Sequence, residues 1–367
     1  MNQRIYFSEK GHDYFSMVFY GLSDVGMRRQ NNQDSFGYLK IAENAEVYIV
    51  CDGMGGAKGG NIASEMAVRA FTSYIGNALG EFIDRDTGRL VLPDDSDSLG
   101  LYAETVEFDI HSGNAYGNYE TVSDTEATSG EDISDAAEEY SDCADSVNEP
   151  GGSGNDGEDV REGCDESAEE SDESVIITPL ERLMKDAANA ANLEVYEASQ
   201  NDSELSGMGT TLVAALMVDD CVFIAGIGDS RIYYFSGNEM TQLTHDHSYV
   251  QYLVDIGQIT PEEARTNPYR NIITRAVGNE SSVEADTAVL HVTEKPSYLL
   301  LCSDGLTGYV DESDICDTVL GDSLDSQNEE EAEAELREKV EHLIDAANEN
   351  GGGDNITAFL VKFGCMI

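Results

Sequence analysis

Short apolar blocks separated by polar turns run along this chain in two groups, split by a long stretch with few large apolar residues. In the first group, FSMVFYGLS within residues 14–23 reads as a strand. A short strand follows near 37–41 and another spans 47–51. Residues 59–79 then space Ile62, Met66, Val68, Ala70, Phe71 and Ile75 for one face of a helix. The second group opens at Thr178-Pro179, a good helix start, and Leu183, Ala187, Ala190, Ala191 and Val195 carry a helix over 180–199. Residues 209–217 and 221–227 read as paired strands turned at Asp219-Asp220. A second hairpin, 231–235 with 239–244, turns at Gly237-Asn238. Helical patterns follow at 248–256 and 261–265, strands at 288–291 and 297–302, and short helices at 305–310 and 312–320. A charged amphipathic helix over 329–348 precedes a closing strand at 355–363. Strand clusters joined by hairpins, with no regular βαβ alternation, predict an α+β fold with antiparallel sheets.

Composition changes the picture mainly between the groups. The chain has 367 residues with 73 acidic against 20 basic side chains, a net charge of −53. The stretch from about 84 to 176 carries close to half of that charge, and residues 123–174 are too poor in apolar groups to offset the entropy of ordering. It is expected to be a largely disordered acidic insertion. So acidic a surface repels phosphate backbones and anionic lipid, which argues against nucleic-acid and membrane-surface partners. Seven scattered cysteines with no CxxC pair suit a reducing compartment. Residues 1–15 carry no apolar signal core and no run approaches membrane-spanning length, so a cytoplasmic location is expected.

The candidate chemistry lies where strands end. In VYIVCDGMGG an apolar run delivers Asp52 and is followed at once by Gly53, Gly55 and Gly56. YLLLCSDGL repeats the pattern at Asp304 and Gly305, and GGGDNITAFL mirrors it at Asp354. VFIAGIGDSR ends at Asp229. Any one of these is ordinarily a turn aspartate, but four flanked by glycine suggest oxygen ligands for Mg²⁺ or Mn²⁺ and argue against zinc or copper. No GxxxxGK[ST], HExxH, GxSxG or cysteine phosphatase loop is present. His245 and His247 in THDHS read as loop histidines, and Cys51 and Cys302 as small buried hydrophobes.

Taken in order, SDVGMRRQNNQDS, VCDGMGGAKGG, GMGTTLVAAL, IAGIGDSRIYYF, the segment from His245 to Arg275, LLLCSDGL and GGGDNIT resemble the metal-dependent protein phosphatases of the 2C type, bacterial branch. The resemblance implies a four-layer α-β-β-α sandwich, two antiparallel sheets flanked by helices, in a single domain. Its core would cover about 14–83 and 177–364, with the acidic tract inserted between two helices. It further implies that Asp52 bridges two Mn²⁺ or Mg²⁺ ions, that the Gly53 carbonyl binds one of them, and that Asp304 and Asp354 complete the other's shell. Asp229 with Asp304 matches a weaker third-metal site. Asp34 would act through metal-bound water, Asn355 would support Asp354, and residues 245–275 would form a flap beside the site. Arg28 matches the arginine that grips the substrate phosphate, with Arg29 the weaker candidate.

By the same resemblance, a hydroxide held between the two ions hydrolyses phosphoserine and phosphothreonine monoesters by in-line attack. In animal members a histidine follows the Asp-Gly pair; here the position is Met54, as in bacterial relatives. The expected partners are phosphorylated Ser/Thr proteins and a cognate Ser/Thr kinase, and the expected state is a monomer. The competing reading is an inactive relative serving as a regulatory or binding module. Such modules usually lose one of the strand-end aspartates, all of which are retained here.

Overall fold

The computed structural model describes residues 3–5, 16–92, 178–293, 296–321 and 328–365. The acidic tract therefore lies outside the described residues from 93 to 177. In chain order the elements begin with β1 (Gln3–Ile5), β2 (Ser16–Asp24), β3 (Asp34–Ala42), β4 (Ala45–Met54), α1 (Gly56–Gly80) and α2 (Pro179–Asn201). There follow β5 (Gly209–Thr210), β6 (Leu212–Val218), β7 (Cys221–Ile227), β8 (Arg231–Ser236), β9 (Glu239–Gln242), α3 (Tyr249–Asp255) and α4 (Pro261–Arg265). The chain closes with β10 (Asp286–His291), β11 (Ser297–Cys302), α5 (Asp304–Thr307), α6 (Glu312–Leu320), α7 (Glu329–Glu349) and β12 (Ile356–Cys365).

The strands form two sheets, ordered β1-β2-β12-β11-β8-β9 and β10-β7-β6-β4-β3, with β5 paired to β4. Every named pairing is antiparallel. Alternation along each strand sends side chains to opposite faces, and both faces are covered. On β4, Val47, Ile49 and Cys51 join the core under α1 and α2, while Tyr48 and Val50 enter the core between the sheets. On β11, Tyr298, Leu300 and Cys302 pack towards α6 and α7, and Leu299 and Leu301 face the other sheet. Helices, sheet, sheet and helices thus enclose three apolar layers, the four-layer sandwich expected.

Most elements fall where the pattern predicts, and the differences have physical reasons. β3 starts at Asp34 rather than 37, because Asp34 and Ser35 pair with Asp52 and Cys51 of β4; their polarity conceals this locally. The packed fold also continues past 83. Ile83 bridges Leu90, and Leu90 is buried in the core beneath α1 and α2. The Asn44 side chain accepts from the Leu90 N–H at 2.7 Å and donates to its carbonyl at 3.3 Å. α2 starts with a full capping box, Thr178 with Glu181, and Pro179 in its first turn, which explains its sharp beginning. Among the described residues no helix is long and apolar enough to cross a membrane.

Candidate active site

Strand order and register bring the separated aspartates to one end of both sheets. Asp34, at the start of β3, is the direct partner of Asp52, near the end of β4. Asp304 follows β11 and Asp354 precedes β12, and these strands are neighbours with Cys302 opposite Ala358. Asp229 lies in the connection from β7 to β8.

The backbone at Asp52 is held firmly. Its N–H donates to Thr211 Oγ1 at 2.8 Å, and its carbonyl accepts from the Thr211 N–H and from Thr210 Oγ1, both at 2.8 Å. Gly53 is confined further: a Cβ there would lie 2.0 Å from the Gly60 carbonyl oxygen and 2.6 Å from that of Gln33. Gly305 has the same role beside Asp304, since a Cβ would lie 1.8 Å from the Asn355 carbonyl oxygen. Backbone cannot yield as a flexible side chain would, so Gly305→Ala is expected to cost about 3 kcal/mol in denaturant unfolding of the EDTA-treated protein. A loss below ~0.5 kcal/mol would show that this corner can relax.

Asp34 is buried. Its Oδ2 accepts from Ser303 Oγ and Thr357 Oγ1, each at 2.7 Å, so one carboxylate joins β3 to two segments of the other sheet. Its Oδ1 has no partner, nor do Oδ1 of Asp229 and Oδ1 of Asp304. Withdrawal from water raises the Asp34 pKa to about 7 despite those two hydrogen bonds, with Asp304 and Asp354 adding to the rise. Asp304 is pushed up to about 6, chiefly by burial and then by Asp354. Asp52 and Asp229 are held well above the usual carboxylate range by burial and by the surrounding acids. The Asp52 and Asp304 carboxyls are within hydrogen-bonding reach of each other.

Five acids whose charges bear on one another, three of them with an unpartnered buried oxygen, are unfavourable by themselves and are what a divalent cation would relieve. All the donors are oxygens. The residues present therefore fit Mg²⁺ or Mn²⁺.

At two places the structure adds detail to the sequence expectations. Arg28 is exposed, whereas Arg29, the weaker candidate, donates from Nη2 to Asp354 Oδ2 at 2.7 Å. Asn355 supports Asp354 only through its backbone N–H, at 2.8 Å from Asp354 Oδ1. Its side chain instead holds the 25–33 loop, donating to the carbonyls of Val25 and Asn31 and accepting from the Gln33 N–H.

The histidines of THDHS are structural. His245 Nε2 pairs with Asp255, while His247 accepts from the Gly228 N–H at Nδ1 and contacts Asp286 through Nε2 at 3.0 Å. Between them Asp246, which attracted no notice in the sequence, grips Arg231 through Nε and Nη2 at 2.7–3.0 Å. Its negative charge is one of those raising Asp229 and Asp304. Ser303 and Thr357 were also missed. Only Ser303, beside the Asp-Gly pair, had a local signal.

Comparison with known proteins accords with this arrangement. The sequence model described as protein phosphatase 2C matches residues 27–106 and 158–341. The chain is 30% identical over 344 residues to the serine/threonine phosphatase stp of Listeria welshimeri, covering 94% of this chain and 95% of that protein. The solved structure of the S. agalactiae serine/threonine phosphatase superposes with a TM-score of 0.59 at 29% identity, over 94% of this chain and 98% of that one. The catalytic domain of the serine/threonine protein phosphatase PstP, solved with two manganese ions, shares the fold at a TM-score of 0.58 and 23% identity, over 95% and 99% of the two chains. From its sequence, its fold and the oxygen-rich end of its two sheets, the chain belongs to the protein phosphatase 2C family.

Proposed function

We propose that this protein is a divalent-metal-dependent phosphatase acting on phosphoserine and phosphothreonine in proteins. The observation that carries the reading is the convergence of Asp34, Asp52, Asp229, Asp304 and Asp354, with orphaned oxygens on three of them. Asp52, the Gly53 carbonyl, Asp304 and Asp354 would hold two Mn²⁺ or Mg²⁺ ions, and Asp229 with Asp304 a third. Such ions, when bound, supply Lewis acidity towards phosphate oxygens and make water a stronger acid.

The chain's own groups do the remaining work. Asp34 Oδ1 has no protein partner and is available to orient a water by accepting its hydrogen bond. Thr211, Ser303 and Thr357 hold the acids in place through the bonds described above. Cys51 and Cys302, the thiols close to Asp52 and Asp304 in sequence, are not nucleophiles in this reading: both are buried in the two helix-facing cores, and burial pushes the Cys302 thiol up to about 12.

Arg28 remains the phosphate-binding arginine in this reading. It is exposed beside the loop docked on Asp354, where the Met27 N–H donates to the Gly352 carbonyl at 2.8 Å, and Arg29 is already engaged by Asp354. Arg28→Ala should raise KM for p-nitrophenyl phosphate about 10- to 100-fold, as loss of a charge-assisted hydrogen bond to phosphate predicts. If Arg29→Ala raises KM and Arg28→Ala does not, the roles are reversed.

The domain is read as one catalytic unit interrupted by the acidic tract, working as a cytoplasmic monomer on the products of a Ser/Thr kinase. The unpaired thiols of Cys51, Cys221, Cys302 and Cys316 suit a reducing compartment. The test is direct. Protein stripped with EDTA and resupplied with Mn²⁺ or Mg²⁺ should hydrolyse a phosphothreonine peptide. Failure with both ions would favour the inactive binding module.

A further inference from the structure

A second group of metal-ligating side chains lies at the other end of the same sheet. Cys221 opens β7 and His291 closes β10, and they are direct cross-strand partners. Asp220 is the residue before Cys221, in the turn from β6. The far end of β7 leads to Asp229, so the two groups are separated by the length of the strand, about 20 Å.

The corner is held by its backbone. Asp219 takes the left-handed conformation, with φ 55°, that the tight turn requires. Its N–H donates to the Asn44 carbonyl at 2.9 Å, and its carboxylate is taken up by Asn44 Nδ2 and Arg89. The Asp220 carbonyl accepts from the Val292 N–H at 2.8 Å, which locks the turn to the strand carrying His291. Asp219 is thus committed elsewhere, and Asp220 faces the thiol and the imidazole.

The three side chains already stand near a ligand triangle. Cys221 Sγ is 3.4 Å from His291 Nε2 and 3.8 Å from Nδ1. Asp220 Oδ1 is 3.8 Å from Sγ, and Asp220 Oδ2 is 3.9 Å from His291 Nδ1. One donor atom from each residue lies within 4.8 Å of the others. Tetrahedral bonds of zinc to sulfur, nitrogen and oxygen imply ligand–ligand edges of about 3.3–3.6 Å, so small side-chain rotations would complete the set.

We propose that Asp220, Cys221 and His291 form a binding site for a zinc-like divalent ion, distinct from the carboxylate cluster, with its fourth position open to solvent. One thiolate, one imidazole and one carboxylate favour zinc over the Mg²⁺ or Mn²⁺ that an all-oxygen site selects. Binding replaces the thiol proton by the metal: the S–H bond breaks, a sulfur–metal bond forms and one H⁺ is released.

Cobalt(II) tests this, because a thiolate ligand gives a near-ultraviolet charge-transfer band that an all-oxygen site cannot give. The full-length, reduced, EDTA-stripped protein titrated with Co²⁺ should develop that band, saturating at a single equivalent. Cys221→Ser should abolish it, His291→Ala should weaken Co²⁺ binding at least about tenfold, and Cys316→Ser should leave it unchanged. Mn²⁺-dependent hydrolysis of p-nitrophenyl phosphate should persist in Cys221→Ser, showing that the fold and the other site are intact. No band in the parent protein, a band surviving Cys221→Ser, or unchanged affinity in His291→Ala would overturn the assignment. The Co²⁺ outcomes are independent of whether the carboxylate cluster is catalytic.

Discussion

Asp52→Asn should lower Mn²⁺-dependent hydrolysis of p-nitrophenyl phosphate by at least about 10³-fold, equivalent to roughly 4 kcal/mol of transition-state stabilisation. The substitution changes one oxygen to a nitrogen and removes one negative charge while keeping the shape. The backbone bonds from Thr210 and Thr211 that hold position 52 do not involve its side chain, so the variant should fold. What it loses is the carboxylate at the centre of the acidic cluster, held well above the usual range by burial and then by its neighbours Asp34, Asp304, Asp229 and Asp354. That repulsion gives the prediction a second, opposite readout. In EDTA the variant should melt at a higher temperature than the parent, because a neutral amide replaces a group that the others oppose. A variant with near-parental turnover would remove Asp52 from the reaction.

The second large effect concerns stability, and its sign depends on the metal. Asp304 and Asp34 have folded-state pKa values of about 6 and about 7, above the ordinary carboxylate value of 3.8. A carboxyl whose pKa is raised by folding stabilises the fold while protonated. That contribution is complete below about pH 4 and is lost as pH rises through 6 and then 7. Metal-free protein should therefore lose stability between pH 5 and pH 8. With saturating Mn²⁺ the trend should reverse, because the ions require the deprotonated acids. At about one hundred times Kd a single ion contributes about 2.7 kcal/mol, so Mn²⁺ should raise Tm at pH 7.5 by about 5–10 °C over EDTA. Thermal melts at several pH values, with and without metal, measure both slopes. A metal-free protein that grows more stable from pH 5 to pH 8 would contradict the electrostatics of the cluster.

Some of this was legible locally. An apolar run that ends in Asp and Gly is a strand delivering a carboxylate to a tight corner, and Asp52 and Asp304 stand at such ends. Thr178-Pro179 marked the start of α2, and the helical pattern read over 261–265 is α4. Cys51 and Cys302 read as buried apolar residues and are so. The start of β3 was less legible, because NNQDS is polar and its pairing partner, β4, is what makes Asp34 a strand residue.

The chain alone therefore determined which residues end strands, where helices begin, and that four acids of metal-binding type sit beside glycine. Those are properties of a few adjacent residues, set by side-chain periodicity and turn chemistry. Only the tertiary structure decided which atoms meet. Asp34 is held by Ser303 and Thr357, residues 269 and 323 positions away. Arg29 rather than Arg28 reaches Asp354, the Asn355 side chain ties down the 25–33 loop, and Cys221 comes to face His291. Each of these contacts follows from strand order and register. A one-residue slip in register would turn the side chains to the opposite face, and no local pattern encodes that choice.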